Sequence, residues 1–245
     1  PPPPSSAASD VYKRQQLLKE KKVEAVFSAG STGATLISAI TILGKQRGVI
    51  RPAIASVLPT IERSVILLDS GTSLDVKPKV LYQFAVMGSK LAEALFDIES
   101  PKIGLLNNGE EESKGRELEK SAFKLLNSSS LNFVGNVEGR DFATNKVDVF
   151  VTDGFTGNVV LKTLEGTAKL QQSLISASLK QNLFKPFLPS VKKALKPVKD
   201  QLNPDKTNAS YLLGVDGLVT IGHGSSKQEA TVSYTHLTLP TKEEV

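Results

Sequence analysis

Residues 147–166 read VDVFVTDGFTGNVVLKTLEG. The stretch opens as a short apolar run, turns polar and glycine-bearing at TDGFTGN, and takes up a helical spacing from about Gly157. Buried strand, glycine-rich turn and helix in that order make a unit of a parallel α/β sheet. Asp153 falls at the strand end. Asn158 and Lys162 lie four apart, so both face one side of the helix's first turns.

The same unit recurs outward along the chain. VEAVFSA runs through SAGSTG into a helix from about Ser31 to Gly44. AIASVLPT and SVILLDSGT read as strands, the second ending in the turn DSGTSLD. Pro78 to Phe96 carries a helical period through Val80, Leu81, Phe84, Met87, Leu91 and Leu95, and Pro78 suits a first turn. KIGLLNNG is a strand, and Glu111 to Leu126 is a helix opened by acidic residues. LNFVGN and GLVTIGHG are further strands. The recurrence predicts a three-layer αβα fold with a mainly parallel sheet. Sites in such sheets lie beyond the carboxyl ends of the strands. The turns SAGSTG, DSGTSLD, NNGEEESKG, GNVEGRD, TDGFTGN and GHGSS are therefore expected along one edge.

Composition narrows the function classes. The chain has 245 residues, 40% hydrophobic and 22% charged, which suits a soluble α/β protein. With no cysteine there is no disulfide framework, thiolate metal site or cysteine nucleophile. No run is long enough to cross a bilayer and no signal-peptide pattern opens the chain, so a cytoplasmic location is expected. A net charge of +5 favours anionic partners. Residues 1–15 and 232–245 have no hydrophobic period that continues the fold and read as non-native tails. An N-terminal arm and a short terminal strand are the alternatives. Residues 16–231 remain as a single α/β domain.

Segment 180–200 stands apart, with six lysines and one aspartate. Leu183, Phe187, Val191 and Leu195 recur at four-residue steps opposite the lysines, and Pro186, Pro189 and Pro197 interrupt the run. It reads either as a surface helix packed on the sheet or as a bent amphipathic hairpin at an anionic membrane surface. In the second reading Phe184, Phe187, Leu188, Val191 and Leu195 enter the interface.

Each turn admits a functional and a plain reading. SAGSTG before a helix suits an oxyanion cradle formed by Gly30, Ser31, Thr32 and Gly33, or simply close packing. No G-x-G-x-x-G follows the first strand and no Walker lysine pattern is present. Lys114 sits in a charged helix start. Lys162 can neutralise a phosphate or pair with Asp153 or Glu165. His223, between two glycines, is exposed at a strand end.

Taken together, SAGSTGA, LLDSGTSLD, QFAVMGS, LLNNGEEESKG, NFVGNVEGRD, VDVFVTDGFTGNVVLKTLEG and YLLGVDGLVTIGHGSS resemble the bacterial phosphate acyltransferases that make acyl phosphate from acyl carrier protein thioesters. The likeness runs from about Val23 to Ala230. It implies a fold like that of isocitrate and isopropylmalate dehydrogenases, a homodimer, acyl carrier protein and inorganic phosphate as partners, and peripheral attachment to the cytoplasmic membrane. It also implies that the family's first strand and glycine-rich loop are missing, so that the domain is N-terminally truncated. The family has asparagine where Ser31 stands, and alanine-asparagine where Thr72 and Ser73 stand.

The implied reaction is attack of phosphate on a thioester carbonyl, which requires no protein nucleophile, metal or cofactor. Phosphate would lie against residues 30–33 with Lys162 as countercharge. Asn158 would face the oxyanion and His223 would protonate the departing sulfur. Asp69, Lys114 and Asp153 are candidate substrate contacts. A phosphotransacetylase on the same scaffold is the rival enzyme reading, and a non-catalytic membrane-docking fragment the other. A metal- and NAD-dependent dehydrogenase needs clustered aspartates and a substrate-binding arginine set, which loop arginines such as Arg63, Arg116 and Arg140 fit less well. Nucleic acid is not an expected partner.

Overall fold

The computed structural model describes residues 6–29, 31–179, 188–201 and 210–222. In chain order the elements begin with α1 (Ser6–Lys19), β1 (Ala25–Ser28) and α2 (Thr32–Ile42). A hairpin of β2 (Ala53–Pro59) and β3 (Ser64–Leu68) follows, then α3 (Pro78–Phe96), β4 (Ile103–Leu106), α4 (Glu117–Asn127) and β5 (Phe133–Val137). A short 3-10 turn leads to β6 (Val149–Val151) and the long α5 (Gly154–Leu179). The last elements are α6 (Leu188–Gln201), β7 (Ser210–Leu213) and β8 (Leu218–Ile221).

The strands form one sheet in the order β1-β8-β7-β2-β3-β6-β4-β5. Four of the seven pairings are parallel: β1 with β8, β3 with β6, β6 with β4, and β4 with β5. The three around β2 and β7 are antiparallel. The sheet is thus mainly parallel, as expected, but its strands do not all share one direction. Turns of four residues join β2 to β3 and β7 to β8, and so short a link forces antiparallel pairing. As a result β1 and β8 run opposite to β3, β4, β5 and β6. The expectation of six turns along one edge is corrected accordingly. DSGTSLD, NNGEEESKG, GNVEGRD and TDGFTGN leave one edge, whereas SAGSTG and the start of GHGSS leave the other.

Alternate residues along each strand feed opposite faces. Ile66 and Leu68 pack with Leu81, Phe84 and Leu126 beneath α3 and α4. Val65, Leu67 and Phe150 meet Leu161 of α5 on the other face. Farther along that face Ile54, Leu212 and Val219 meet Leu18 of α1 and Ala39 of α2. These are the three layers, and they place α2 and α5 on the same face, over opposite ends of the sheet.

Three boundaries differ from the sequence reading. Residues 6–19 form one helix with Val11, Gln15 and Leu18 buried, so the boundary expected after residue 15 falls inside α1. The helix expected from Glu111 starts at Glu117. Glu110 to Glu112 lie in the preceding turn, where Gly115 takes φ +89°. The helix expected from Gly157 starts at Gly154. Of the basic segment, residues 188–201 form α6 with Pro197 inside it. Phe184 and Phe187 lie outside the described residues.

Candidate active site

The start of α5 is built against the turn that follows β3. Asp153 caps the helix: its Oδ1 accepts from Thr156 N at 2.7 Å and its backbone carbonyl from Gly157 N at 2.9 Å. Gly154 N donates to Ser73 O at 2.8 Å. Three of the first helical N–H groups are thereby taken, and this helix start offers little to an external anion. The approach is closer than any other side chain would permit. A β-carbon on Gly157 would lie 1.9 Å from Asp69 O, and one on Gly154 2.5 Å from Ser73 N.

Asp69 is fully buried in that turn. Its Oδ1 accepts from Ile54 N at 3.3 Å, Gly71 N at 3.0 Å and Thr72 N at 3.1 Å. Its Oδ2 accepts from Thr72 Oγ1 at 2.6 Å, Ser73 N at 2.8 Å and Thr72 N at 3.3 Å. The side chain expected to touch substrate is therefore occupied by its own turn. Gly71, at φ +146°, lies beside Asn158: a β-carbon there would meet the Asn158 side chain at 3.5–3.6 Å. Asn158 itself is exposed, and its amide has no hydrogen-bond partner among the described residues.

Lys162, one turn further, is exposed and pairs with Glu165 at 3.0 Å. This is one of the two ion pairs the sequence offered. Asp153 is instead paired with Arg116, which also holds Glu119. Glu119 first, and Asp153 beside it, hold the Arg116 guanidinium above its already high ordinary value. The clamp joins the N-terminus of α4 to that of α5. Lys114 is exposed in the neighbouring turn, its N–H donating to Glu111 O at 3.0 Å.

A second group forms at the far end of the sheet. Ser31 caps α2, accepting from Ala34 N at 3.4 Å. The N–H groups of Thr32 and Gly33 have no acceptor among the described residues. Thr35 Oγ1 donates to the buried Ser28 Oγ at 3.0 Å and ties α2 to β1. Gly222 N donates to Ser28 O at 3.0 Å, so the turn after β8 begins beside the turn after β1. Gly30 and His223 lie outside the described residues. β1 and β3 are four strand steps apart, roughly 19 Å at about 4.8 Å per step.

Between the groups, on the face shared by α2 and α5, three hydroxyls form a row. Ser56 Oγ lies 2.7 Å from Ser70 Oγ and 3.0 Å from Ser210 Oγ, while Ser70 Oγ donates to Ile54 O at 3.0 Å. Neither this row nor the Arg116 clamp was anticipated from the sequence. Serines within apolar strands carry no spacing signal, and Arg116 reads as one charge among many. Among the described residues no three histidine, aspartate or glutamate side chains cluster as a metal site.

One side of α5 is poorly covered from its first turn onward: Phe155, Val159, Leu170 and Leu174 are all more than half exposed. On α6, Val191 and Leu195 are partly buried, Lys193 and Lys196 are exposed, and the side chain of Leu188 lies outside the described residues. Among the described residues no helix is long and apolar enough to cross a membrane.

A family model described as fatty acid synthesis protein matches residues 4–234. The phosphate acyltransferase of Elusimicrobium minutum is 44% identical over 222 residues, covering 87% of this chain and 63% of that protein. That of Dictyoglomus turgidum is 45% identical over 223 residues, covering 90% and 66%. That of Thermosipho africanus is 44% identical, covering 90% and 68%. The chain thus spans about two thirds of the length of these curated relatives. Among solved structures, EutD phosphotransacetylase from Staphylococcus aureus superposes with TM-score 0.58 at 16% identity, over 92% of this chain and 65% of that one. A branched-chain phosphotransacylase from Enterococcus faecalis gives 0.57 at 13% identity, over 95% and 79%. At such identity the structural likeness speaks for the fold alone.

Proposed function

The chain belongs to the phosphate acyltransferase family, whose model is described as fatty acid synthesis protein, and from that premise we propose that it transfers a fatty acyl group from an acyl carrier protein thioester to inorganic phosphate. The observation that carries this reading is the pairing of Asn158 and Lys162 on one side of α5. One is an amide with no partner among the described residues, and the other an exposed ammonium that pairs with Glu165. The Lys162 side chain is 57% exposed, so its ammonium is within reach of an arriving phosphate. The reaction needs two anionic species held together and a developing oxyanion stabilised. Lys162 supplies the first and the Asn158 amide the second. Phosphate is its own nucleophile. The open N–H groups of Thr32 and Gly33 suit another anionic or carbonyl group of the bulky donor, at the far side of the same sheet face, and His223 remains the proposed acid for the departing sulfur.

The test is phosphate-dependent thiol release from acyl carrier protein thioesters, with acyl-coenzyme A as the control donor. Lys162→Ala should raise the phosphate requirement about 10- to 150-fold, the loss of a charge-assisted contact, with little change in the acyl-donor requirement. Equal effects on both substrates would remove Lys162 from the phosphate site. Preference for the coenzyme A ester would favour the second reading, a phosphotransacetylase-like enzyme on the same scaffold.

A homodimer and peripheral attachment to an anionic bilayer complete the proposal. A second copy would cover Phe155, Val159, Leu170 and Leu174. The lysines of α6, with Val191 and Leu195, suit a lipid surface, and such binding should weaken as salt rises. Anionic vesicles that retain a Phe187→Glu, Leu195→Glu variant as well as the parent would argue against it.

A further inference from the structure

We propose that Asp69 is a positioning residue that sets the Asn158 amide for acyl transfer. The N–H groups of Gly71, Thr72 and Ser73 converge as backbone amides do around a bound anion. Here the anion is the chain's own carboxylate. Each oxygen of Asp69 takes three hydrogen bonds, and one donor, Ile54 N, belongs to the central strand β2. Asp69 thereby pins the turn's inner N–H groups to the sheet, beside the bonds that Ser70 makes to Ile54 O and Ser56. Asp69 forms no ion pair among the described residues, and it is 0% exposed, so it cannot itself touch substrate.

The pinned turn in turn sets α5. Gly157 and Gly154 leave no space for a β-carbon against Asp69 and Ser73, so the helix start seats at one distance only. A β-carbon on Gly71 would meet the Cβ, Cγ and Oδ1 atoms of Asn158 at 3.5–3.6 Å, so the turn stands about one methyl group from that side chain. On the other side of α5, Arg116 holds Asp153. The path runs from Asp69 through the tightly seated helix start to Asn158 beside Gly71, and it ends on the amide that the acyl-transfer reading places at the oxyanion. The kinetic consequence rests on that reading, whereas the structural one does not.

Asp69→Asn breaks the path with minimal change of shape. Whichever way the amide turns, its NH2 group faces N–H donors that previously met an oxygen. The turn must shift, and a displacement near 1 Å costs on the order of 10²-fold in rate. We expect kcat to fall about 30- to 100-fold with the KM for phosphate within about two-fold of the parent's. Asn158→Ala should lower kcat about 10²- to 10³-fold, and adding Asp69→Asn to it should change little more. Multiplying effects in the double variant would overturn the proposal. If Asp69→Asn does not fold, Thr72→Val removes one donor to Oδ2 and takes its place in the same cycle, with a loss of roughly five-fold expected.

The second readout needs no activity. In asparagine-selective 15N spectra the Asn158 side-chain amide pair, identified by its absence in Asn158→Ala, should move in Asp69→Asn or Thr72→Val, while that of Asn127 at the end of α4 stays in place. An unmoved Asn158 pair overturns the positioning role. A parent chain that releases no thiol from any donor overturns the acyl-transfer reading, and the amide resonances alone then decide the inference.

Discussion

The chain contains two glycine-and-hydroxyl turns of nearly the same composition, SAGSTG at 28–33 and DSGTS at 69–73. Both follow a short buried strand, and both have N–H groups suited to an anion. At 69–73 the first residue is a carboxylate, and it consumes the donors of Gly71, Thr72 and Ser73. At 28–33 the first residue is Ser28, which instead accepts from Thr35, and the N–H groups of Thr32 and Gly33 stay open among the described residues. The turn at 69–73 is thus a brace and the turn at 28–33 a cradle. Small residues indicate only that something anionic or some other backbone comes close. The residue at the strand end decides whether that partner is internal.

The sharpest way to break the comparison is to add one methyl group to each helix beside these turns. Gly157→Ala would place a β-carbon 1.9 Å from Asp69 O, and neither backbone can yield without disturbing the brace. We expect a loss of more than about 3 kcal/mol, read as a melting point lower by roughly 6–12 °C. Gly33→Ala would meet nothing nearer than Ser31 Oγ at 3.9 Å and should leave the melting point within about 2 °C of the parent's. A tolerated Gly157→Ala would mean that α5 is not seated on the turn.

How much of this was legible before the structure varied by region. The β6–α5 unit and the three layers follow from hydrophobic period and turn residues, which act locally. Asp153 at a strand end and the shared side of Asn158 and Lys162 follow from helical spacing in the same way. The shared edge for all six turns did not hold, because strand direction depends on two tight reversals, and a sheet partner many residues away is not written in local spacing. β7 escaped notice for a related reason: SYLL is too short to be distinguished from a loop. Asp69 was recognised as special but assigned to substrate. From sequence, a carboxylate in a polar turn looks the same whether it points outward or into its own backbone. Arg116 was invisible as a clamp because its partner Asp153 lies 37 residues away.

A smaller effect tests whether Asp69 needs all its donors. Thr72 Oγ1 donates to Oδ2 at 2.6 Å, the shortest of the six bonds. Thr72→Val keeps the shape and removes that hydroxyl, leaving Ser73 N and Thr72 N on the same oxygen. The expected loss is about 1.5 kcal/mol, that of one hydrogen bond to a charged group. It should appear as a lower denaturant midpoint with an unchanged slope. A neutral result would mean that the backbone donors alone hold the carboxylate.

The smallest effect belongs to the cradle, and it separates capping from ligand binding. Ser31 Oγ accepts from Ala34 N at 3.4 Å, a long bond, so Ser31→Ala should cost about 0.5–1 kcal/mol, the low end for an N-cap. Replacement by asparagine caps equally well and should restore stability. Neither change touches the N–H groups of Thr32 and Gly33. If those groups hold an anion, adding inorganic phosphate should raise the melting point of the parent, of Ser31→Ala and of Ser31→Asn by similar amounts, because a ligand that binds only the folded state stabilises it by mass action. Lys162→Ala should abolish any part of that shift that comes from α5. A shift that survives Lys162→Ala would locate an anion at the cradle, whereas one that vanishes entirely would leave the cradle to another group of the donor. Phosphate that raises no melting point, even at concentrations that saturate turnover, would mean that the open turn binds no free anion and that the contrast between brace and cradle stops at the backbone.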